Sequence, residues 1–217
     1  GFVDHSDSYG QAGRYGNGDV QWMTAGEGLQ HCEMFPLLDT GHDNPAELFQ
    51  VWLNLPKAKK FAKPYFKMLW AENIPVLNIK DEAGHITEIT VIAGKIGDTI
   101  APPPAPDSWA ADAGNDIAVW AIRMDAGATC TLPAAGAETK RSLYFYRGST
   151  LSINGTVVVD QSQAIEVKAD VSLTLVNGQS EGYLLVLQGK PINEPVIQYG
   201  PFVMNSQAEI QQAINDY

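Results

Sequence analysis

His31 and Glu33, one residue apart, carry the first recognisable chemistry in this 217-residue chain. On a strand, alternate side chains share a face, so the imidazole and the carboxylate point the same way and Cys32 points the other. A neutral imidazole nitrogen and a carboxylate oxygen suit a divalent metal such as iron, manganese, nickel or zinc. Two ligands hold such an ion only weakly, so the remainder of a site has to come from elsewhere. A buried histidine hydrogen-bonded to a neighbouring carboxylate is the alternative, and the residue types alone leave it open. The pair closes the stretch GDVQWMTAGEGLQHCE at 18–33, which holds a Gly-Asp turn, the apolar run Val20-Gln21-Trp22-Met23 and two glycines, Gly26 and Gly28.

The other histidines are His5, His42 and His85. His5 lies near a turn with Asp4 and Asp7, His42 in a polar loop, and His85 after a glycine in a hairpin, so each is expected as a solvent-facing turn residue. Residues 116–189 contain no histidine, so that half offers no His-based metal site, and Glu138, Glu166 and Glu181 read as surface charges. Trp22, Met23, Phe49, Val51 and Trp52 are candidate walls of an apolar pocket. Strand alternation would send Val51 and Trp52 to opposite faces, so some of the five belong to the core.

Gly and Pro are plentiful, which favours short strands joined by turns. Strands are expected at 2–5, over the apolar run from Val20, and at 48–55, where Pro56 ends the segment. The basic and aromatic KAKKFAKPYFKMLW at 57–70 is expected as a solvated connection anchored by its aromatics. Further strands are expected at 74–79 and 86–92 around an Asp-Glu-Ala-Gly turn. The proline-rich 101–106 is stiff and extended and reads as a crossover between two domains. A second β run follows at 117–124, 129–132, 142–146, 151–153, 156–159, 164–167, 171–176 and 183–189, the spacing of a sandwich or barrel. Residues 205–217 place Ala208, Ile210, Ala213, Ile214 and Tyr217 at helical spacing behind Asn205 or Ser206 as N-cap.

The formal net charge is −11, which argues against direct binding to nucleic acid through phosphate neutralisation. No stretch reaches the length of a membrane span and no signal peptide is visible. The two cysteines are far apart without metal-type spacing, so both are expected reduced and the compartment cytoplasmic. The chain opens Gly1-Phe2-Val3, already strand-like, which suggests that an N-terminal portion precedes it.

GDVQWMTAGEGLQHCEM at 18–34, FQVWLNLP at 49–56 and GKPINEPVIQYGPFVMNSQAEIQQAINDY at 189–217 together resemble the pirins, two-domain proteins of the cupin superfamily in which each domain is a small β-barrel. The resemblance runs from one end of the chain to the other. It implies an all-β fold of two cupin-type β-barrels, a bicupin, the first incomplete, with a short C-terminal helix. The expected division is a first barrel at 1–100, a linker at 101–115, a metal-free second barrel at 116–200 and a helical tail at 201–217. Pirins hold one iron in the first barrel with three histidines and one glutamate. Two of these histidines form a His-x-His motif that, by the resemblance, lies before Gly1, and the other two ligands match His31 and Glu33. The expectation is therefore Fe(II) in the full-length protein, absent or weakly bound in this chain.

Some bacterial pirins are credited with quercetin 2,3-dioxygenase activity. A flavonol would then dock its enolic oxygens on the metal, with Glu33 as both ligand and proton acceptor for the flavonol hydroxyl. The competing expectation is a metal-dependent regulator that binds a transcription factor or a metabolic enzyme without turnover, as described for other pirins. An opened first barrel would expose strand edges and apolar faces, so dimerisation through it, or disorder near Gly1, is expected.

Overall fold

The computed structural model describes all 217 residues. In chain order the strands begin with β1 (Phe2–Asp7), β2 (Ala12–Gly16), β3 (Val20–Thr24), β4 (His31–Met34) and β5 (Tyr65–Leu69). They continue with β6 (Val76–Lys80), β7 (Ile86–Ala93), β8 (Lys95–Ile96), β9 (Thr99–Ile100), β10 (Ala118–Met124), β11 (Thr129–Leu132) and β12 (Lys140–Arg147). Next come β13 (Leu151–Ile153), β14 (Val157–Val159), β15 (Gln163–Lys168) and β16 (Leu173–Asn177). The last are β17 (Gly182–Gly189), β18 (Ile197–Tyr199) and β19 (Phe202–Met204), before the helix α1 (Gln207–Asp216).

The chain divides into two compact units, each discontinuous in sequence: residues 1–71 with 104–111 and 192–217, and residues 72–103 with 112–191. This differs from a division at the proline-rich segment. β7 pairs antiparallel with β10 from Met124↔Thr87 to Val119↔Ala93, and β6 pairs with β7. Two strands placed before the prolines thus extend the sheet of the strands after them, because a ladder of backbone hydrogen bonds outweighs a local stiff segment as a determinant of which residues belong together.

In the second unit a six-stranded sheet, β15-β12-β17-β10-β7-β6, accompanies a four-stranded one, β11-β16-β13-β14. The period of two is plain in β10, where Ala118, Trp120, Ile122 and Met124 are buried and the residues between them are half-exposed. Leu143 and Phe145 of β12, Leu151 and Ile153 of β13, and Leu184 and Val186 of β17 complete the same core. Fully burying one such Leu side chain is worth roughly 1.5–3 kcal/mol.

The first unit is built from smaller pieces: the sheet β2-β1-β4, the pairs β3-β5 and β18-β19, and α1. Two sequence expectations fail here. Residues 48–55 form no strand, and Leu48, Phe49, Val51 and Trp52 are exposed; an apolar run becomes a strand only where another strand completes its hydrogen bonds, and this one has none. Residues 65–69, expected within a solvated connection, instead form β5 and pair with β3 from Val20↔Leu69 to Thr24↔Tyr65. The alternation Phe66, Met68 against Tyr65, Lys67 supplies the two-faced pattern that the dense charge obscures. No helix is long and apolar enough to cross a membrane.

Candidate metal centre

β4 carries His31 and Glu33 as its first and third residues, and the expected common face is observed. His31 Nδ1 lies 3.8 Å from Glu33 Oε1. The turn that delivers β4 depends on Gly26, whose φ is +52° and whose Cβ position would lie 1.9 Å from the Ala62 carbonyl oxygen. Only a residue without a side chain allows that approach, and the adjacent Glu27 N–H donates to the same carbonyl at 2.9 Å.

His5 corrects the sequence reading. It is not a turn residue at the surface but a buried member of β1, 3 % exposed. In the antiparallel register of β1 and β4, His5 stands opposite Glu33 and Asp7 opposite His31, and directly opposed residues share a face. Four side chains therefore form a square, with His5 Nδ1 3.9 Å from Glu33 Oε1. The signal was present in the sequence, since Val3, His5 and Asp7 alternate with Asp4 and Ser6. The outward pair partner is visible as well, because Arg14 donates to Asp4 through Nε at 2.6 Å and Nη2 at 2.7 Å.

The surroundings fix both the rings and the carboxylates. Phe66 of β5 stacks on the His5 ring with centroids 5.1 Å apart, and His31 lies on it at 5.5 Å, tilted. Gln21 Nε2 is 3.3 Å from His5 Nδ1, so the face of β3 that bears Gln21 and, by alternation, Met23 is the one turned to the site, whereas Trp22 faces away from it. The Tyr15 hydroxyl donates to Glu33 Oε1 at 3.4 Å. Burial, together with the Glu33 charge, pushes the Tyr15 phenol up to about 12, so it remains a donor at neutral pH. Burial works against ionisation of Asp7, but backbone N–H groups of Gln11 and Tyr9 and the His5 ring hold its carboxyl below the usual range.

The donor atoms of His5, His31 and Glu33 all lie within 4.8 Å of one another. Two ligands at about 2.1 Å from a tetrahedral ion sit roughly 3.4 Å apart; His31 and His5 lie 3.8 and 3.9 Å from Glu33 Oε1, so the three donors would have to draw together to hold one ion. Two imidazoles and a carboxylate are a donor set for first-row metals, iron among them. The residues present fit the group that the resemblance implies.

The remaining predicted residues are apart from this centre. His42 is exposed and paired with Asp39 at 3.0 Å, and His85 pairs with Asp81 at 3.2 Å within the β6–β7 hairpin, both in the turns expected for them. Phe49, Val51 and Trp52 lie on the exposed segment without regular structure. A cleft of about 240 Å³ in the first unit is lined instead by Phe2, Phe35, Leu37, Leu38 and Pro45, among others, and by none of the five apolar residues proposed from sequence.

Comparison with known proteins supplies the relationship. The Pirin family profile matches residues 1–53 and the profile of the pirin C-terminal cupin domain matches 119–217. A Pseudomonas aeruginosa protein provisionally named a quercetin 2,3-dioxygenase is 37 % identical over 217 residues, covering 100 % of this chain and 71 % of that protein. Human pirin is 30 % identical over 229 residues, covering 100 % and 69 %. The crystal structure of a quercetin 2,3-dioxygenase from Acinetobacter baumannii superposes with a TM-score of 0.78 at 31 % identity, covering 100 % of this chain and 70 % of that one. A mostly-β chain with one short C-terminal helix, a cupin β fold, and matches of this extent and identity have one reading: the chain belongs to the pirin family.

Proposed function

We propose that the full-length protein is a metal-dependent flavonol dioxygenase of the quercetin 2,3-dioxygenase type, with His31 and Glu33 as metal ligands and Fe(II) as the metal. The reading is carried by one observation, the convergence of the His31 imidazole and the Glu33 carboxylate on one face of β4 at 3.8 Å. The relatives named for this activity supply the substrate class. Held there by His31 and Glu33, iron would supply Lewis acidity toward the flavonol's enolic oxygens and redox capacity toward dioxygen. Glu33 keeps a carboxylate oxygen directed at the same point and is the acceptor for the flavonol hydroxyl proton. Tyr15 holds that carboxylate in place through its hydroxyl. Phe66 and the Gln21 and Met23 face of β3 shield the His5 side of the site from water.

The test is loss of quercetin absorbance under air with the full-length, Fe(II)-loaded protein. Turnover is expected there, and H31A and E33A are each expected to abolish it. Iron bound without turnover would overturn the enzymatic reading in favour of a second one, a regulator acting through a protein partner. That alternative draws on a specific feature, the exposed apolar side chains Phe35, Leu37, Leu38, Phe49 and Trp52 in a segment of the first unit that lacks regular structure.

A further inference from the structure

We propose that His5 is a third metal ligand, bound through Nδ1, and that Asp7 is the positioning residue that keeps its ring in the ligating tautomer. The proposal rests on the metal-site reading above and names a ligand that neither the His31-x-Glu33 spacing nor the family resemblance assigns. Within this chain the donors would then be two imidazoles and one carboxylate delivered by two adjacent strands of a single sheet.

Several features of His5 favour a ligand over a structural core residue. A buried imidazole needs partners for both nitrogens, and the two available here differ in kind. Nε2 faces Asp7 Oδ2 at 3.4 Å, and neither side chain has exposed surface. A carboxylate only accepts, so Nε2 carries the proton and Nδ1 presents its lone pair to the space shared with Glu33 and His31. A carboxylate behind a histidine whose far nitrogen meets the metal is the usual support for a ligating imidazole. Asp7 is itself immobilised, because its Oδ1 accepts from Tyr9 N at 2.9 Å and Gln11 N at 3.0 Å. Phe66 fixes the plane of the ring from one side. The remaining contact to Nδ1 is Gln21 Nε2 at 3.3 Å, and the same amide nitrogen also approaches Met23 Sδ at 3.9 Å. It is a long, shared contact that a metal bond would replace.

The experiment uses the full chain and the metal alone. Co(II) binding is measured by calorimetry and visible absorption, and the coordinated imidazole nitrogens are counted by pulsed EPR on the Cu(II) form. Two nitrogens are expected in the unaltered chain and one in H5Q, with H5Q binding Co(II) about 100-fold or more weakly. D7N retains the Oδ1 acceptor for Tyr9 and Gln11 but offers an N–H to His5 Nε2, which drives the proton to Nδ1. It is expected to weaken binding by about 10–100-fold, and circular dichroism checks that it folds. If H31A loses the metal while H5Q keeps both affinity and nitrogen count, His5 is not a ligand and only this inference falls. If D7N binds as tightly as the unaltered chain, the role of Asp7 falls. Should H5Q fail to fold, a single nitrogen in the unaltered chain overturns the proposal and two sustain it. Absence of flavonol turnover with both nitrogens in place would sink the dioxygenase reading and leave the ligand set standing.

Discussion

Cys32 and Cys130 show how far the same side chain can be separated by its surroundings. Both are free thiols; Cys32 is exposed on β4, on the face opposite His31 and Glu33, and Cys130 is buried on β11. Burial pushes the Cys130 thiol up to about 11 from 9.0, and reactivity follows the thiolate. A disulfide-exchange reagent at mildly alkaline pH is expected to modify one thiol in the folded chain and the second only after unfolding; release of two equivalents from the folded chain would refute this. Because the unfolded thiol loses its proton first, stability is expected to fall as pH rises from about 9 to about 11, an effect that Cys130→Ala should remove from a pH series of denaturant melts. At this scale the sequence was informative where spacing alone decides direction, as for His31 and Glu33. It missed His5, which looked like a turn residue beside Asp4 and Asp7, because only pairing with β4 extends β1 through those residues and buries the ring.

Elements whose signals are local were legible to within a residue or two. β11 and β13 fall where alternation placed them, and α1 starts behind Ser206. The Ser206 hydroxyl accepts from Glu209 N at 3.3 Å, satisfying one N–H of the first turn, and Glu209 Oε2 accepts from N of Asn205, the residue before the cap, at 3.0 Å. S206A is expected to cost about 1 kcal/mol, read as a lower midpoint in urea with unchanged slope; no change would mean that Glu209 alone secures the start. Glu209 also faces Lys57 Nζ at 3.4 Å, and Ile210 is fully buried, so the helix is held by its cap, one ion pair and one apolar anchor. β5 and residues 48–55 were misread for one reason. Whether an apolar run becomes a strand depends on a partner distant in sequence: β3 supplies it for 65–69, and nothing supplies it for 48–55.

For the molecule as a whole, the core cluster and the metal centre belong to different units. Leu143, fully buried on β12, is a member of that core, and L143A is expected to lower stability by about 2–5 kcal/mol in chemical denaturation. Co(II) affinity measured below the transition is expected to be unchanged, and a parallel loss of metal binding would show that the two units do not report separately. The sequence by itself determined the all-β class with its terminal helix, the absence of a histidine-based site in residues 116–189, and the shared direction of His31 and Glu33. The class follows from the spacing of short strands together with the family resemblance, the helix from its spacing of about 3.6 residues behind an N-cap, the missing histidines from composition, and the shared direction from a period of two along one strand. Tertiary structure alone decided that β6 and β7 join the second unit, that β5 exists, and that His5 and Asp7 stand opposite Glu33 and His31. Those outcomes depend on cross-strand register, which is set by hydrogen bonds between residues far apart in the chain: alternation within β1 or β5 is visible locally, but which strand each pairs with is not.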